Sequence, residues 1–337
     1  MDDWRSTLTE TEQDQLVKAA MPNRVKPMLA TLTDNHFSNA NWVFERKLDG
    51  ERCIAFNDGE TVHLYTRNEK SLDATYPEIC DALAAQEYSF AIDGEVVAFE
   101  GNLTSFSRLQ ERLQIKDEKE ARASDIKVYY YIFDLLYLDG HDVSKLPLRQ
   151  RKKLLHDTVK FDGPLRFTPH RDENGERFLE EACRKGWEGL IAKDANAAYK
   201  TGRSRKWLKF KCVNQQEMVI VGYTDPEGER AGFGALLLAF YESGKLRYAG
   251  RVGTGFDEKT LSSLRADLTK RETDSSPLAD SEAADSKGVH WVKPELVGEI
   301  AFTEWTADNR LRHPSFLGLR QDKSPEDVIK EAPGARS

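Results

Sequence analysis

Lys47 stands in the run Glu45-Arg46-Lys47-Leu48-Asp49-Gly50-Glu51-Arg52, with a carboxylate two residues to either side. On an extended strand side chains alternate between faces, so Glu45, Lys47 and Asp49 fall on one side. Gly50 then permits a tight turn that can swing Arg52 back toward the same pocket. A solvated strand face carries the same pattern, and this segment alone leaves both readings open. Further elements bear on the choice. Asp93-Gly94-Glu95 interrupts an apolar run of Ile92 and Val96-Val97. Glu188-Gly189-Leu190-Ile191-Ala192-Lys193 places charge at both ends of an apolar strand. Phe133, within Tyr131-Ile132-Phe133-Asp134-Leu135-Leu136, reads by itself as core. Trp207-Leu208-Lys209-Phe210-Lys211 alternates strictly, so Lys209 and Lys211 share one face, opposite Leu208 and Phe210. Two cations on one face of a half-buried strand form a phosphate cradle, and phosphate chemistry is what these residues suit.

The elements that hold these residues follow from the same patterning. Thr9-Glu10-Thr11-Glu12 is a capping box that predicts a helix to about Ala20, before Pro22. Residues 42–56 predict two strands around a turn at Gly50, and 88–99 and 128–138 predict further strands. Helical spacing appears near 105–115, 147–160 and 176–186. Strands mixed irregularly with helices imply an α+β domain rather than a βαβ series. After Cys212 the pattern changes to short strands at 219–223, 235–241, 246–252 and 299–306, with a hairpin turn at Glu242-Ser243-Gly244-Lys245. These suit a small barrel such as an OB-fold, with a boundary near residue 213. The acidic, serine-rich stretch 271–288 reads as an exposed insertion.

The 337 residues leave room for two domains, 39% hydrophobic and 31% charged. No run approaches the length of a membrane span, and the acidic N-terminus lacks the apolar core of a secretory signal. Cys53, Cys80, Cys183 and Cys212 form no CxxC pair, so neither a zinc site nor a disulfide framework is expected, and a cytoplasmic location fits. The net charge of −8 is concentrated: residues 1–14 and 271–286 each carry five acids against one arginine, which leaves the rest near neutral. Against that background, residues 203–211 place five cations in nine positions. DNA binding needs a local basic surface, and this charge distribution permits one. No GxxxxGK[ST] run occurs, which removes a P-loop ATPase.

Taken in order, Lys47-Leu48-Asp49-Gly50, Arg67, Asp93-Gly94-Glu95, Phe133, Glu188-Gly189, Lys209-Phe210-Lys211 and Arg320-Gln321-Asp322-Lys323 resemble the collinear motifs of covalent nucleotidyltransferases. That superfamily comprises DNA ligases, RNA ligases and mRNA capping enzymes. The resemblance spans residues 25–328 and is closest to the ligase domain of bacterial LigD-type end-joining ligases. Phe133-Asp134-Leu135-Leu136-Tyr137-Leu138-Asp139-Gly140, residues 248–256 and residues 312–320 carry that closeness. The fold it implies is an adenylation domain at 25–212, with antiparallel sheets and flanking helices, behind a lead segment 1–24 and before an OB-fold domain at 213–337.

The resemblance also implies roles. Lys47 would attack the α-phosphate of ATP, which requires a neutral amine and hence neighbouring cations or a metal. Asp49 and Arg52 would complete the catalytic set. Phe133 would stack on adenine, Glu45 would help recognise it, and Glu95 would meet the ribose. Arg52, Arg67, Arg205, Lys209 and Lys211 would bind phosphates or AMP. Asp49, Glu95 and Glu188 would hold Mg²⁺, with Mn²⁺ as an alternative. Arg320, Asp322 and Lys323 would orient pyrophosphate. The implied substrate is nicked double-stranded DNA, handled by a monomer, with Ku as a candidate partner. No helical DNA-encircling domain is expected ahead of the core. An NAD-dependent ligase would normally bring a further cofactor domain and a four-cysteine module. An RNA ligase or capping enzyme is the alternative within the superfamily, and a non-catalytic OB-type nucleic-acid-binding protein the alternative outside it.

Overall fold

The computed structural model describes residues 4–226, 232–279 and 288–331. The chain divides into two compact units, the first ending at Cys212 and the second beginning at Val213.

Two sheets build the first unit. The larger contains β1 (Val17–Lys18), β4 (Glu51–Asn57), β5 (Val62–Thr66), β6 (Phe90–Glu100), β8 (Val128–Leu138) and β9 (His141–Asp142), in the order β1-β9-β8-β6-β4-β5. Against it pair β7 (Leu103–Thr104), antiparallel on β6, and β10 (Leu165–Phe167), parallel on β8. The smaller sheet runs β11-β3-β12-β13-β2, from β2 (Met28–Leu32), β3 (Trp42–Arg46), β11 (His170–Asp172), β12 (Gly189–Asp194) and β13 (Gly202–Lys211).

Side-chain alternation sorts the apolar residues into layers. Along β4, Cys53 and Ala55 join the core shared with α2 (Pro77–Ala84), α3 (Phe106–Leu113) and α5 (Leu148–Thr158). Ile54 and Phe56 point the other way, into a second core with Phe133 of β8 and with Met28 and Trp207 of the smaller sheet. The far face of the smaller sheet, Phe44, Leu190 and Phe210, packs on Phe178 and Leu179 of α6 (Gly175–Arg184). Each such buried side chain contributes about 1.5–3 kcal/mol.

Helix α5 ties the two sheets together with consecutive residues. Arg151 donates from Nε and Nη2 to the Asp134 oxygens of β8, at 2.7 and 2.9 Å. Lys152 donates to Glu45 Oε1 of β3 at 2.6 Å and to the Thr168 carbonyl at 3.0 Å. All four side chains are almost wholly removed from solvent.

The second unit is a curled sheet of OB-fold type. It contains β14 (Asn214–Thr224), β15 (Leu236–Glu242), β16 (Lys245–Val252), β17 (Glu272–Thr273) and β18 (Val289–Phe302), in the order β16-β15-β14-β18-β17, with β21 (Ser315–Leu319) on β18. A two-stranded sheet of β19 (Glu304–Trp305) and β20 (Leu311–Arg312) and the helix α7 (Glu258–Thr269) accompany it.

Several expectations need correction. The capping box forms, but its helix α1 (Glu10–Gln13) stops early, because Val17 and Lys18 pair with β9 instead. Cys183 and Cys212 are disulfide-bonded, although no pairing was expected; β12 and β13 return the chain beside α6 and bring their Cα atoms to 5.2 Å. Within the stretch read as an insertion, Glu272–Thr273 is a strand on β18, and residues 280–287 lie outside the described residues. Helices α2, α4 (Glu118–Ala123) and α7 were not anticipated, although the Asp257 cap and the buried Leu261, Leu264 and Leu268 marked α7.

Breaking one half of a buried ion pair strands the other charge. Arg151→Ala should therefore lower the stability of the first unit by about 3–5 kcal/mol. Removing the exposed Arg149–Asp172 contact should cost no more than about 1 kcal/mol. Denaturant midpoints of the two variants test the contrast.

Candidate active site

Lys47 sits one residue beyond β3, its amide donating to the Gly189 carbonyl at 2.9 Å. Its Nζ lies 2.5 Å from Glu188 Oε1. Antiparallel pairing sets Lys211 opposite Gly189 and Lys209 opposite Ile191, so both lysines face the cleft between the sheets. Glycine is needed at 189 because its φ is +148° and a Cβ there would overlap the Phe210 carbonyl. At Gly50 the requirement is space rather than backbone freedom: a Cβ would collide with the Val96 carbonyl.

A second cluster begins two residues before Lys47. Glu45 is buried, with Lys152 at 2.6 Å and Lys193 at 2.5 Å on its two oxygens. Lys193 Nζ lies 4.1 Å from the ring centroids of both Phe133 and Trp207. Arg52 Cζ lies 4.7 Å from the Phe133 centroid, while its Nε and Nη2 donate to Asp93 at 2.5 and 2.6 Å. Tyr199 donates to the same Asp93 at 2.7 Å. The cleft is thus lined by Phe133 and Trp207 with cations beside them. Lys152, Asp93, Tyr199 and Trp207 were not singled out as site residues. Strict alternation on β13 was the available signal for Trp207, since it shares the face of Lys209.

The remaining expected residues are spread more widely. Asp49 Oδ2 accepts from the Phe106 amide at 3.3 Å, at the start of α3. Glu95 is half-buried on β6 as the register partner of Arg52. Arg67 lies in the turn after β5, and Arg205 is exposed on β13 at a register shift. Among the described residues no group of three or more His, Cys, Asp or Glu side chains is placed to hold a metal, so Asp49, Glu95 and Glu188 do not form the three-carboxylate set expected. Glu188 Oε2 is nevertheless buried without a hydrogen-bond partner. In the second unit, Arg320 pairs with Asp322 at 2.9 Å and Glu299 at 3.2 Å, and Lys323 with Glu217 at 2.9 Å.

Lys-x-Asp-Gly alone does not single out Lys47, because Lys160-Phe161-Asp162-Gly163 repeats it. The structure separates the two. Lys160 is exposed after α5, with its backbone bonded to the Gln86 side chain, whereas Lys47 meets a buried carboxylate.

Electrostatics follow from burial and partners. Burial would raise the Glu188 pKa, but Lys47, then Lys211 and Lys209, hold it below the usual carboxylate range. Glu45 behaves likewise, with Lys152 and Lys193 outweighing burial. Burial pushes Lys193 down to about 8 despite Glu45. Burial also works against the charge on Arg52, and Asp93 more than offsets it.

Paired sheets around this cleft, with an OB-fold unit following in the chain, make a mixed α/β nucleotidyltransferase fold of the kind found in ATP-dependent ligases. The family model for the ATP dependent DNA ligase domain matches residues 27–211, and that for the ATP dependent DNA ligase C terminal region matches 229–323. The chain belongs to the ATP-dependent DNA ligase family. It is 37% identical over 334 residues to the multifunctional non-homologous end joining protein LigD of Mycolicibacterium smegmatis, covering 97% of this chain and 42% of that protein. The LigD of Pseudomonas aeruginosa is 36% identical over 324 residues, covering 94% of this chain and 38% of that protein. The chain therefore spans about two fifths of these relatives' length. A solved mycobacterial DNA ligase D complexed with ATP and MES superposes with a TM-score of 0.64 at 35% identity, covering 90% of this chain and 98% of that one. Among the described residues no helix is long and apolar enough to cross a membrane.

Lys193 supplies a pH test. Its folded pKa of about 8 lies below the ordinary lysine value of 10.5, so between those values the unfolded chain binds the extra proton. The penalty for burying the ammonium acts in full below the lower value and fades as pH rises through it. Relative to Lys193→Met, the wild type should gain stability from pH 7 to about pH 10. Urea midpoints at the two pH values check the sign.

Proposed function

We propose that the chain seals nicks in duplex DNA by carrying AMP on Lys47. The observation that supports this most directly is the 2.5 Å Lys47–Glu188 contact in a cleft flanked by Lys209 and Lys211. Residues 25–212 are the adenylation domain in this reading, residues 1–24 its lead segment, and residues 213–337 the OB-fold domain.

A carboxylate this close favours the ammonium form, so Lys47 Nζ must leave Glu188 and lose its proton before it can attack. Lys47 Nζ then bonds to the α-phosphorus of ATP, the α–β phosphoanhydride breaks, and pyrophosphate departs. A 5′-phosphate oxygen at the nick attacks the lysyl-AMP phosphorus and returns the amine to Lys47. The 3′-hydroxyl finally attacks the DNA 5′-phosphate and expels AMP. Phe133, with Trp207 beside it, offers the stacking surface for adenine. Lys152 and Lys193 fix the Glu45 carboxylate near that base, and Glu95 meets the ribose. Arg52, Arg67, Arg205, Lys209 and Lys211 neutralise the phosphates, and Asp49 positions the reacting groups.

The partnerless Glu188 Oε2 fits Mg²⁺, with phosphate oxygens and water as further ligands. Mn²⁺ suits the same oxygen donors. Bound there, the metal would neutralise charge on the phosphoryl oxygens. By likeness to LigD, the biological setting proposed is DNA end joining in the bacterial cytoplasm. Ku is the candidate tether for a monomer with limited DNA-binding surface.

Incubation with labelled ATP and Mg²⁺, a denaturing gel and mapping of the labelled lysine test the assignment. Lys47→Ala should abolish both self-adenylation and nick sealing; an acid-labile AMP adduct on that variant would refute the nucleophile. Lys47→Arg should fail equally, because guanidinium stays protonated. The pyrophosphate-orienting set makes a separate prediction. Arg320 and Asp322 are mutually paired and little exposed, so Lys323, on the more exposed Glu217, is the informative position. Lys323→Ala should slow lysyl-AMP formation at least about tenfold while sealing of a pre-adenylated nick falls less. Equal losses in both assays would count against that role.

A further inference from the structure

Beyond the Lys47 site, half-buried aromatic rings interleave with cations across the first unit. Alternation along β3 puts Arg46 on the face opposite Glu45. Its Cζ lies 4.5 Å from the Trp187 centroid and 6.0 Å from that of Phe99. Phe99 packs edge-on against Tyr129 at 5.8 Å and tilted on Tyr131 at 6.2 Å. Arg166 Cζ follows, 4.7 Å from the Tyr129 centroid. The contacts run unbroken from Trp187, just before β12, to Arg166 on β10.

The charges along this strip differ from several others in the unit. Arg112, Arg149, Arg151 and Arg171 each reach a carboxylate. Among the described residues no acid pairs with Arg46 or Arg166, and Arg46 Nε is buried without a hydrogen-bond partner. Burial lowers the Arg46 pKa, yet a guanidinium remains charged at neutral pH. A buried donor without an acceptor is destabilising, and an arriving phosphate oxygen would satisfy it.

Partly open rings stack on nucleobases of any sequence, while adjacent cations take the phosphates. Bases inside a duplex already stack on one another and cannot supply those faces. We propose that the strip is a binding path for single-stranded DNA leading to the catalytic lysine. It adjoins the site directly, because Arg46 precedes Lys47 and Tyr131 is the register partner of Glu95. The inference rests on the proposed DNA-joining function for the identity of the strand, and unpaired nucleotides beside a break are what it would hold.

The test titrates a labelled oligothymidylate and a blunt duplex of equal length into the full chain, by fluorescence anisotropy. Phe99→Leu and Arg166→Gln should each weaken oligothymidylate binding about tenfold and duplex binding less than about twofold. Arg166→Gln should also reduce the salt slope for the oligothymidylate by about one. Unchanged oligothymidylate affinity in folded variants, or equal losses for both DNAs, would overturn the proposal. If Phe99→Leu fails to fold, Arg166→Gln alone decides, since it removes a charge and no core volume. Lysyl-AMP formation is followed separately. A wild type that binds oligothymidylate through these side chains yet never self-adenylates would count against the proposed function and not against the strip.

Discussion

Glu45 held between Lys152 and Lys193 is the contact on which the arrangement of the cleft depends. Three ionisable groups out of water are tolerable only because each oxygen meets a cation at close range. Lys152 arrives from α5, whose preceding residue, Arg151, pins Asp134 in the other sheet. One turn of helix therefore fixes both sheets against each other with charges that cannot be relaxed by water. Lys47 is two residues along from Glu45, so its position beside Glu188 follows from this anchor.

Close backbone packing completes the cradle. Gly50 and Gly189 allow the loop after β3 and the start of β12 to approach β6 and β13 more nearly than any side chain would permit. That approach brings Glu188, Lys209 and Lys211 near Lys47 and keeps Glu188 ionised against its own burial.

Net charge gives little guidance to binding in this chain. The −8 total coexists with a cation-lined cleft and with arginines that are held on aromatic rings and have no acidic partner among the described residues. Where each charge is paired, and where pairing is withheld, decides what the surface can take. In the second unit the opposite holds for Arg320, which is enclosed by Asp322 and Glu299.

Sequence patterning alone located much of this. Alternation predicted the strands at 42–56 and 128–138, the face shared by Lys209 and Lys211, and the change of character after Cys212, because period-two burial is written residue by residue. The ordered motifs pointed to the nucleotidyltransferase family that the family models match, and the capping box forms as expected. Other features depended on contacts between residues far apart in the chain. Nothing local marks Arg151 and Lys152 as buried rather than as the solvated face of a helix; their acids lie 17 and 107 positions away. The early end of α1 was decided by strand pairing with β9, the Cys183–Cys212 bond by the β12–β13 return, and the contrast between Lys47 beside a carboxylate and the exposed Lys160 by the start of β12. Local spacing specifies which face a side chain takes, and only the assembled sheets determine which charge it meets there.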